Sequence, residues 1–331
     1  MNVNWIFYLA LAACLWSGVE VSASGRGMMY SDTSRIGRPL AKDPDVIKFG
    51  GRYLMYYSIP PYEKPGAVKG WGIGIAESRN LVDWTKVGEI LPQVEYEKNG
   101  LCAPGLIVRN DTVHIFYQTY GNGKNDAICH AWSLDGLHFI RDNSNPVFRP
   151  SGDWNCGRAI DAEVAYFKGN YYLYYATRDK QYKVQKQGVA VTPAGSSFSR
   201  DSWRNLSVSG PILAPELPWE RNCIEAASVV EHDGRLYMFY AGGYNNEPQQ
   251  VGVAVSDDAV NWTRIYDKPV LPNGKPGEWN SSESGHPHVF MDTDGKTYLF
   301  FQGNDCNGRE WWLSKKNVVW KKDGRPYVAG E

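Results

Sequence analysis

The chain has 331 residues, enough for one large or two ordinary domains with a full core. A formal net charge of −1 gives no field that would recruit nucleic acid or an anionic membrane. What stands out is the aromatic content, 13 Trp and 21 Tyr with only 21% charged residues, which favours strands and also suits the apolar faces of sugar rings.

The first element is an apolar stretch from Trp5 to Trp16. It is too short to span a membrane and reads as a signal core, although no Lys or Arg precedes it. Two processing patterns fit. Leu11-Ala12-Ala13-Cys14 matches a lipobox, which would leave Cys14 as a lipid anchor, and Val21-Ser22-Ala23 matches ordinary small-residue cleavage. Residues 1–26 are therefore expected to be a signal peptide or lipoprotein signal, with residues 27–331 as one domain. The expected location is secreted, periplasmic or outer-surface, with no transmembrane span.

From Asp43 onward one phrase returns five times: a short polar opening, an apolar pair, a Gly/Asp turn and a run of aromatics. It opens at Asp43 (DPDVIKFGGRYLMYYS), Ala103, Asp161, Glu225 and His286. A repeat of about 60 residues marks one supersecondary unit used again and again. Each unit has a second half in which alternation such as Val251, Val253, Val255 runs into a Ser-Asp-Asp turn and then Asn-Trp-Thr. That makes about four short strands per unit, with no helical periodicity anywhere. The expected fold is all-β, a five-bladed β-propeller with four-stranded antiparallel blades. Trp154, Trp219 and Trp279 each fall shortly before an opening and are expected to pack in the blade connections. Of the five cysteines after Cys14, none forms a C-x-x-C pair, so structural zinc is not expected. A Cys156–Cys223 bridge fits their placement before two openings; buried free thiols are the plainer expectation.

In a propeller the innermost strands line the channel and their first residues ring one mouth. Asp43, Asp161 and Glu225 should therefore meet at a shared pocket from blades one, three and four. Gathering carboxylates is costly unless protons, hydrogen bonds or a cation are shared, and glycosidic cleavage exploits that cost by keeping one carboxyl protonated. Asp45 and Glu163, two residues further on, should face the same way deeper in the channel, unless either is turned to a backbone partner. Arg35, Arg38 and Arg158 flank the openings, where one could grip a substrate or neutralise the acids. Trp71 follows a Gly/Pro-containing loop where a sugar platform fits. Trp71, Arg158 and His286 are the candidate substrate-binding residues.

Asp43-Pro44, Ile160-Asp161 and Ile224-Glu225, set in this blade pattern from about Arg38 to the C-terminus, resemble the five-bladed glycosidases of glycoside hydrolase family 43. The resemblance implies Asp43 as general base, Glu225 as general acid and Asp161 as the residue that positions the acid and tunes its pKa, in an inverting mechanism. It also implies that His286, in Ser-Gly-His-Pro-His, lies near the channel centre at a water or calcium site. Calcium prefers many oxygen ligands, so such an ion would be water-rich and structural, and no cofactor is required. Three places depart from the family pattern: Asp161-Ala162, Glu225-Ala226-Ala227, and Ala103-Pro104-Gly105, where an acid is common. These bear on the sugar more than on the carboxylates. The implied activity is an arabinofuranosidase or xylosidase acting on plant or algal oligosaccharides or polysaccharides. An anhydro-galactosidase or galactan-directed hydrolase is the alternative within the class, and a non-catalytic glycan-binding propeller the alternative outside it.

Overall fold

A computed structural model describes residues 27–63 and 70–329. The leader expectation for residues 1–26, including the lipid anchor at Cys14, lies outside the described residues. After β1 (Met29–Tyr30), blade one consists of β2 (Lys42–Phe49), β3 (Arg52–Ile59), β4 (Gly72–Ser78) and β5 (Thr85–Ile90). Blade two is β6 (Leu101–Arg109), β7 (Thr112–Thr119), β8 (Ile128–Ser133) and β9 (Ile140–Arg141); blade three is β10 (Ile160–Phe167), β11 (Asn170–Arg178), β12 (Gln185–Pro193) and β13 (Arg204–Asn205). Blade four is β14 (Ile224–His232), β15 (Arg235–Gly242), β16 (Gln250–Ser256) and β17 (Thr263–Arg264). Blade five is β18 (Glu283–Met291), β19 (Thr297–Asn304) and β20 (Trp312–Trp320), with both β1 and β21 (Pro326–Val328) on the outer edge of β20. Every pairing between these strands is antiparallel, so the fold is the five-bladed propeller that the repeat predicts.

The aromatic tails of the repeat become the second strands, and their rings fill the spaces between blades. Tyr56, Tyr57, Tyr117, Tyr174, Tyr175, Tyr240, Phe300 and Phe301 are all fully buried. Gly74, Gly188 and Gly252, on the third strands, leave room for these rings: a Cβ on any of them would stand 2.4–2.5 Å from the ring of Tyr57, Tyr175 or Tyr240. The expected packing role of the tryptophans is what the fold displays. Trp219 stacks on Tyr240 at 5.9 Å, Trp279 lies 5.7 Å from Phe301, and Trp154 donates its indole N–H to Ser207 O. All five described cysteines are free thiols, so the Cys156–Cys223 bridge does not form; Cys223 is buried beside the Gln185 amide instead. No described helix is long and apolar enough to cross a membrane.

Each inner strand carries a bulge at its opening. Regular pairing breaks between Lys42 and Asp45, Cys102 and Gly105, Ile160 and Glu163, Glu225 and Ser228, and Gly285 and His288. One residue inside each bulge has positive φ: Asp43, Ala103, Asp161, Ala226 and His286. A non-glycine residue held there stores strain, which the surroundings must overcome. This register corrects the sequence alignment of the repeat. Ala226, not Glu225, is the structural equivalent of Asp43 and Asp161, and Glu225 stands one residue upstream, level with Lys42 and Ile160.

Candidate active site

The bulges turn their side chains into one cavity of about 260 Å³ at the channel mouth. Asp43, Asp161, Glu225, Trp71, Arg158 and His286, the six candidates from the sequence, all line it. Lys42, Cys102, Gln118, Tyr120, Ile160, Arg178, Gln185, Tyr244 and Asn245 complete the wall. Arg35 and Arg38 do not. Arg35 pairs with Glu89 at 2.9 Å, and Arg38 donates to Arg309 O. A roomier groove of about 640 Å³ on the outside of blades two and three contains no carboxyl group and so no acid–base pair.

The three catalytic candidates are all buried, but their environments differ. Burial works against the charge on Asp43. His286 and Lys42, with a hydrogen bond from Ser58, outweigh it and hold this carboxyl below its ordinary range. Burial also depresses His286, whose Nδ1 lies 3.1 Å from Asp43 Oδ1, against the pull of Asp43 and Glu225. At neutral pH the lysine therefore supplies the lasting positive charge. Lys42 stays charged because Asp43, Glu283 and Glu225 outweigh its burial, and its ammonium lies 4.3 Å from the Trp311 ring. Asp161 moves the other way: burial first, then the charges of Glu225 and Asp43, push its carboxyl well above the usual range. Glu225 accepts amide hydrogens on both oxygens, from Gln185 on one and from Gln249 on the other at 2.6 Å.

Sequence reasoning did not find the glutamines. Gln302 accepts the Asp43 N–H at 3.0 Å, Gln118 the Asp161 N–H at 2.9 Å, Gln249 the His286 N–H at 2.9 Å, and Ser58 the Ala103 N–H at 2.8 Å. Four of the five strained openings are thus pinned by a side chain from the preceding blade. Glu283, also missed, accepts from Gln302 at 2.7 Å; burial pushes its pKa up to about 7 against the charge of Lys42. Arg158 and Arg178 both donate to Gln185 Oε1, and Arg158 lies 3.5 Å from Asp126 rather than against a catalytic carboxyl. Trp71 is tilted against Tyr120 with ring centroids 5.7 Å apart, at the cavity wall.

For a cation at His286, the protein offers one imidazole and the Asp43 carboxyl. Among the described residues, these two are not joined by a third His, Cys, Asp or Glu in ligand geometry. An ion there would depend on water. One layer deeper, Asp45, Glu163 and His288 converge, and Asp45 and Glu163 each also accept a backbone N–H of the next blade, from Leu106 and Val229.

The family model for glycosyl hydrolases family 43 matches residues 35–326. Among characterised relatives, the chain is 30% identical over 129 residues to a beta-1,2-mannobiose phosphorylase of Thermoanaerobacter sp. (strain X514), covering 34% of this chain and 40% of the relative. It is 28% identical over 154 residues to a xylosidase/arabinosidase of Bacteroides ovatus, covering 43% of each. The chain thus spans about two-fifths of the length of these relatives. In three dimensions it superposes on a thermostable family-43 glycoside hydrolase with a TM-score of 0.67 and 24% identity, over 88% of this chain and 93% of that one. An alpha-L-arabinofuranosidase from Lactobacillus brevis gives a TM-score of 0.66 at 16% identity, over 86% and 93%. Both likenesses concern the fold.

Proposed function

The chain belongs to glycosyl hydrolases family 43, and from that premise we propose that it is an inverting glycoside hydrolase of arabinofuranose- or xylose-bearing saccharides. The supporting observation is the opposed perturbation of buried carboxyls in one cavity, Asp43 held down and Asp161 pushed up. Surroundings that drive neighbouring carboxyls apart are what acid–base chemistry in one cavity needs, with Asp161 as the modulator beside Glu225. In this reading the Asp43 carboxylate takes a proton from water, whose oxygen attacks the anomeric carbon from the face opposite the leaving group. Glu225 gives a proton to the glycosidic oxygen as that C–O bond breaks, so configuration inverts. Gln185 and Gln249 hold the Glu225 carboxyl from both sides, and Asp161 stands beside it as the positioning and modulating residue. The reaction calls for no cofactor; a calcium ion at His286 would be water-held and electrostatic. The xylosidase/arabinosidase relatives favour the pentose substrates. Residues 1–26 acting as an export signal or lipoprotein signal would place the enzyme outside the cytoplasm.

The test uses leaving groups. Glu225→Gln should lose about 10²–10⁴-fold in kcat/KM on alkyl glycosides yet keep most activity on dinitrophenyl glycosides, whose leaving group needs no proton. Asp43→Asn should lose a similar factor on both. Equal losses for Glu225→Gln on the two substrates would remove Glu225 from the acid role, and glycan binding without turnover would favour a non-catalytic propeller. A second reading has support in Arg158 and Arg178, which line the cavity without a catalytic carboxyl as partner, and in the phosphorylase relative. There, inorganic phosphate would replace water, releasing a sugar 1-phosphate. Assays with and without phosphate separate the two: hydrolysis proceeds in phosphate-free buffer and yields free sugar.

A further inference from the structure

The cavity holds more positive charge than the acid–base chemistry uses. Lys42 is already balanced, since the charges of Asp43, Glu283 and Glu225 all act on it. Arg158 and Arg178 are the other cations of the wall. Arg158 is 9% exposed, and its Nε, 3.5 Å from Asp126 Oδ2, makes no hydrogen bond. For the Arg178 side chain the sole hydrogen bond among the described residues runs from Nε to Gln185 Oε1 at 3.1 Å, and no carboxylate pairs with it. A guanidinium has five N–H donors, so both arginines keep donors to spare at the cavity wall.

Arg178 is nevertheless held in place. Its guanidinium lies over the ring of Tyr182 at 4.5 Å and over that of Tyr244 at 4.9 Å. Contact through the flat faces fixes the group and leaves the N–H edge unspent. Tyr244 OH donates to Lys183 O at 2.9 Å, which ties together the loops that carry the two rings. Arg158 donates to the same Gln185 Oε1 at 3.4 Å, so the two guanidinium groups are neighbours.

Gln185 fixes which side of the reacting bond they serve. Its Oε1 accepts from both arginines, while its amide N–H donates to Glu225 Oε2. The arginines thus stand one residue from the group assigned to protonate the leaving oxygen. The cations that act on Asp43, on the attacking side, are His286 and Lys42. Phosphate attacking in place of water would lie beside Asp43, opposite the leaving group. An anion gripped at Arg178 lies on the other side and belongs to the sugar that leaves.

Resting on the hydrolase reading with Glu225 as the acid, we propose that Arg178 and Arg158 form an anion subsite for the leaving-group sugar, and that this sugar is a hexuronate whose carboxylate meets the arginine pair. A carboxylate is planar and presents two oxygens, which the guanidinium edge matches as a fork. A neutral sugar in that place would cover the charges without pairing them, at a cost in desolvation. The competing role is structural, with both arginines serving only to hold the Gln185 amide.

Binding and turnover are measured separately, so that the subsite and the hydrolase reading fail independently. Glucuronate and galacturonate are titrated into the wild-type protein beside glucose and galactose, which carry CH₂OH in place of the carboxylate. At least one uronate should bind about 10–100-fold tighter than its neutral partner, and Arg178→Gln should remove that difference. Turnover is read on xylosyl- and arabinofuranosyl-uronate disaccharides and on their carboxyl-reduced forms. The acid form should have a kcat/KM higher by at least about tenfold, mostly through KM, and Arg178→Gln should bring the ratio close to one. Arg178→Lys, which keeps the charge without the fork, should fall between. Should the variants not fold, the wild-type ratios decide alone. Uronate binding with no turnover of any disaccharide upholds the subsite and removes the hydrolase reading. Equal kcat/KM on acid and reduced forms keeps the hydrolase and overturns the subsite. So does an Arg178→Gln loss of the same size on both forms, which assigns the arginine to Gln185, or release of a sugar 1-phosphate that requires both inorganic phosphate and Arg178.

Discussion

His114 shows how one buried side chain sets a limit on the conditions the protein tolerates. It lies in blade two, stacked on His130 with centroids 5.2 Å apart and edge-on to Phe198, and its Nδ1 is 3.0 Å from His130 Nε2. Burial, then the neighbouring charges of His130 and Arg109, push its pKa down to about 3. Unfolded, the same imidazole titrates near 6.5. Between those values the unfolded chain binds a proton that the folded chain refuses. The stability from neutral His114 is therefore complete above about pH 6.5 and is lost as pH falls towards 3, at up to about 1.4 kcal/mol per pH unit. His130, lowered by burial against the pull of Asp142, acts in the same direction. We expect His114→Phe to flatten the fall of Tm between pH 6.5 and 4.5 relative to wild type; an identical slope would show that His114 does not govern it. The candidate site residues were easier to read than this pair. Asp43, Asp161, Glu225, Arg158 and His286 stand at or near repeat openings, so position gathered them, and Trp71 follows a Gly/Pro-containing loop, whereas His114 and His130 acquire their meaning only from the rings packed around them.

At the scale of the element, the bulge at a blade opening aims the candidate side chain, and one residue in it carries the strain. Asp161 has φ 52°, and Gln118, from the second strand of blade two, pairs the N–H that this conformation exposes. Replacing Gln118 by Leu leaves a buried donor unpaired, which costs about 1–3 kcal/mol. Tm and kcat should fall together, since Asp161 loses the contact that holds its backbone. A fall in Tm with kcat intact would show that Asp161 keeps its orientation without the glutamine. This layer was partly legible. Counting back equally from the hairpin turns at Gly51, Asp111, Gly169 and Gly234 reaches Asp43, Ala103, Asp161 and Ala226, which places Glu225 one residue before the equivalent position. Aligning on the acids hid that offset. The glutamines recur in Tyr117-Gln118 and Phe301-Gln302, at matching places in blades two and five, but each acts on the next blade. No local pattern reports a partner that lies across a blade boundary.

For the whole molecule, a ring of blades is only as stable as its seam, and the segment before blade one spans that seam. The last unit supplies four strands of its own blade, as the repeat suggested, and β20 also takes β1 on its outer edge beside β21, pairing Met29 with Ser314 and Tyr30 with Leu313. Ser314 Oγ donates to Met28 O at 2.6 Å and Ser31 Oγ to Trp311 O at 2.7 Å, fixing the segment to blade five. The same segment grips blade one: Tyr30 OH lies 2.7 Å from Tyr57 OH, their rings meet edge-on at 5.3 Å, and Tyr57 OH donates to Asp32 at 3.0 Å. Lys86, also of blade one, lies 2.8 Å from Asp32. The first and last parts of the fold therefore close on each other through a few residues that carry no repeat motif. Tyr30→Ala removes one partly buried hydrogen bond and one aromatic pair, a loss of roughly 1–3 kcal/mol, and Tm should fall by several degrees. A variant beginning at Asp32 removes β1 altogether. It should lower Tm further and bring proteolytic cleavage first to blade five or blade one, where the freed edges lie. If cleavage instead began in blades two to four, or Tm matched that of wild type, the seam would not be where the ring opens.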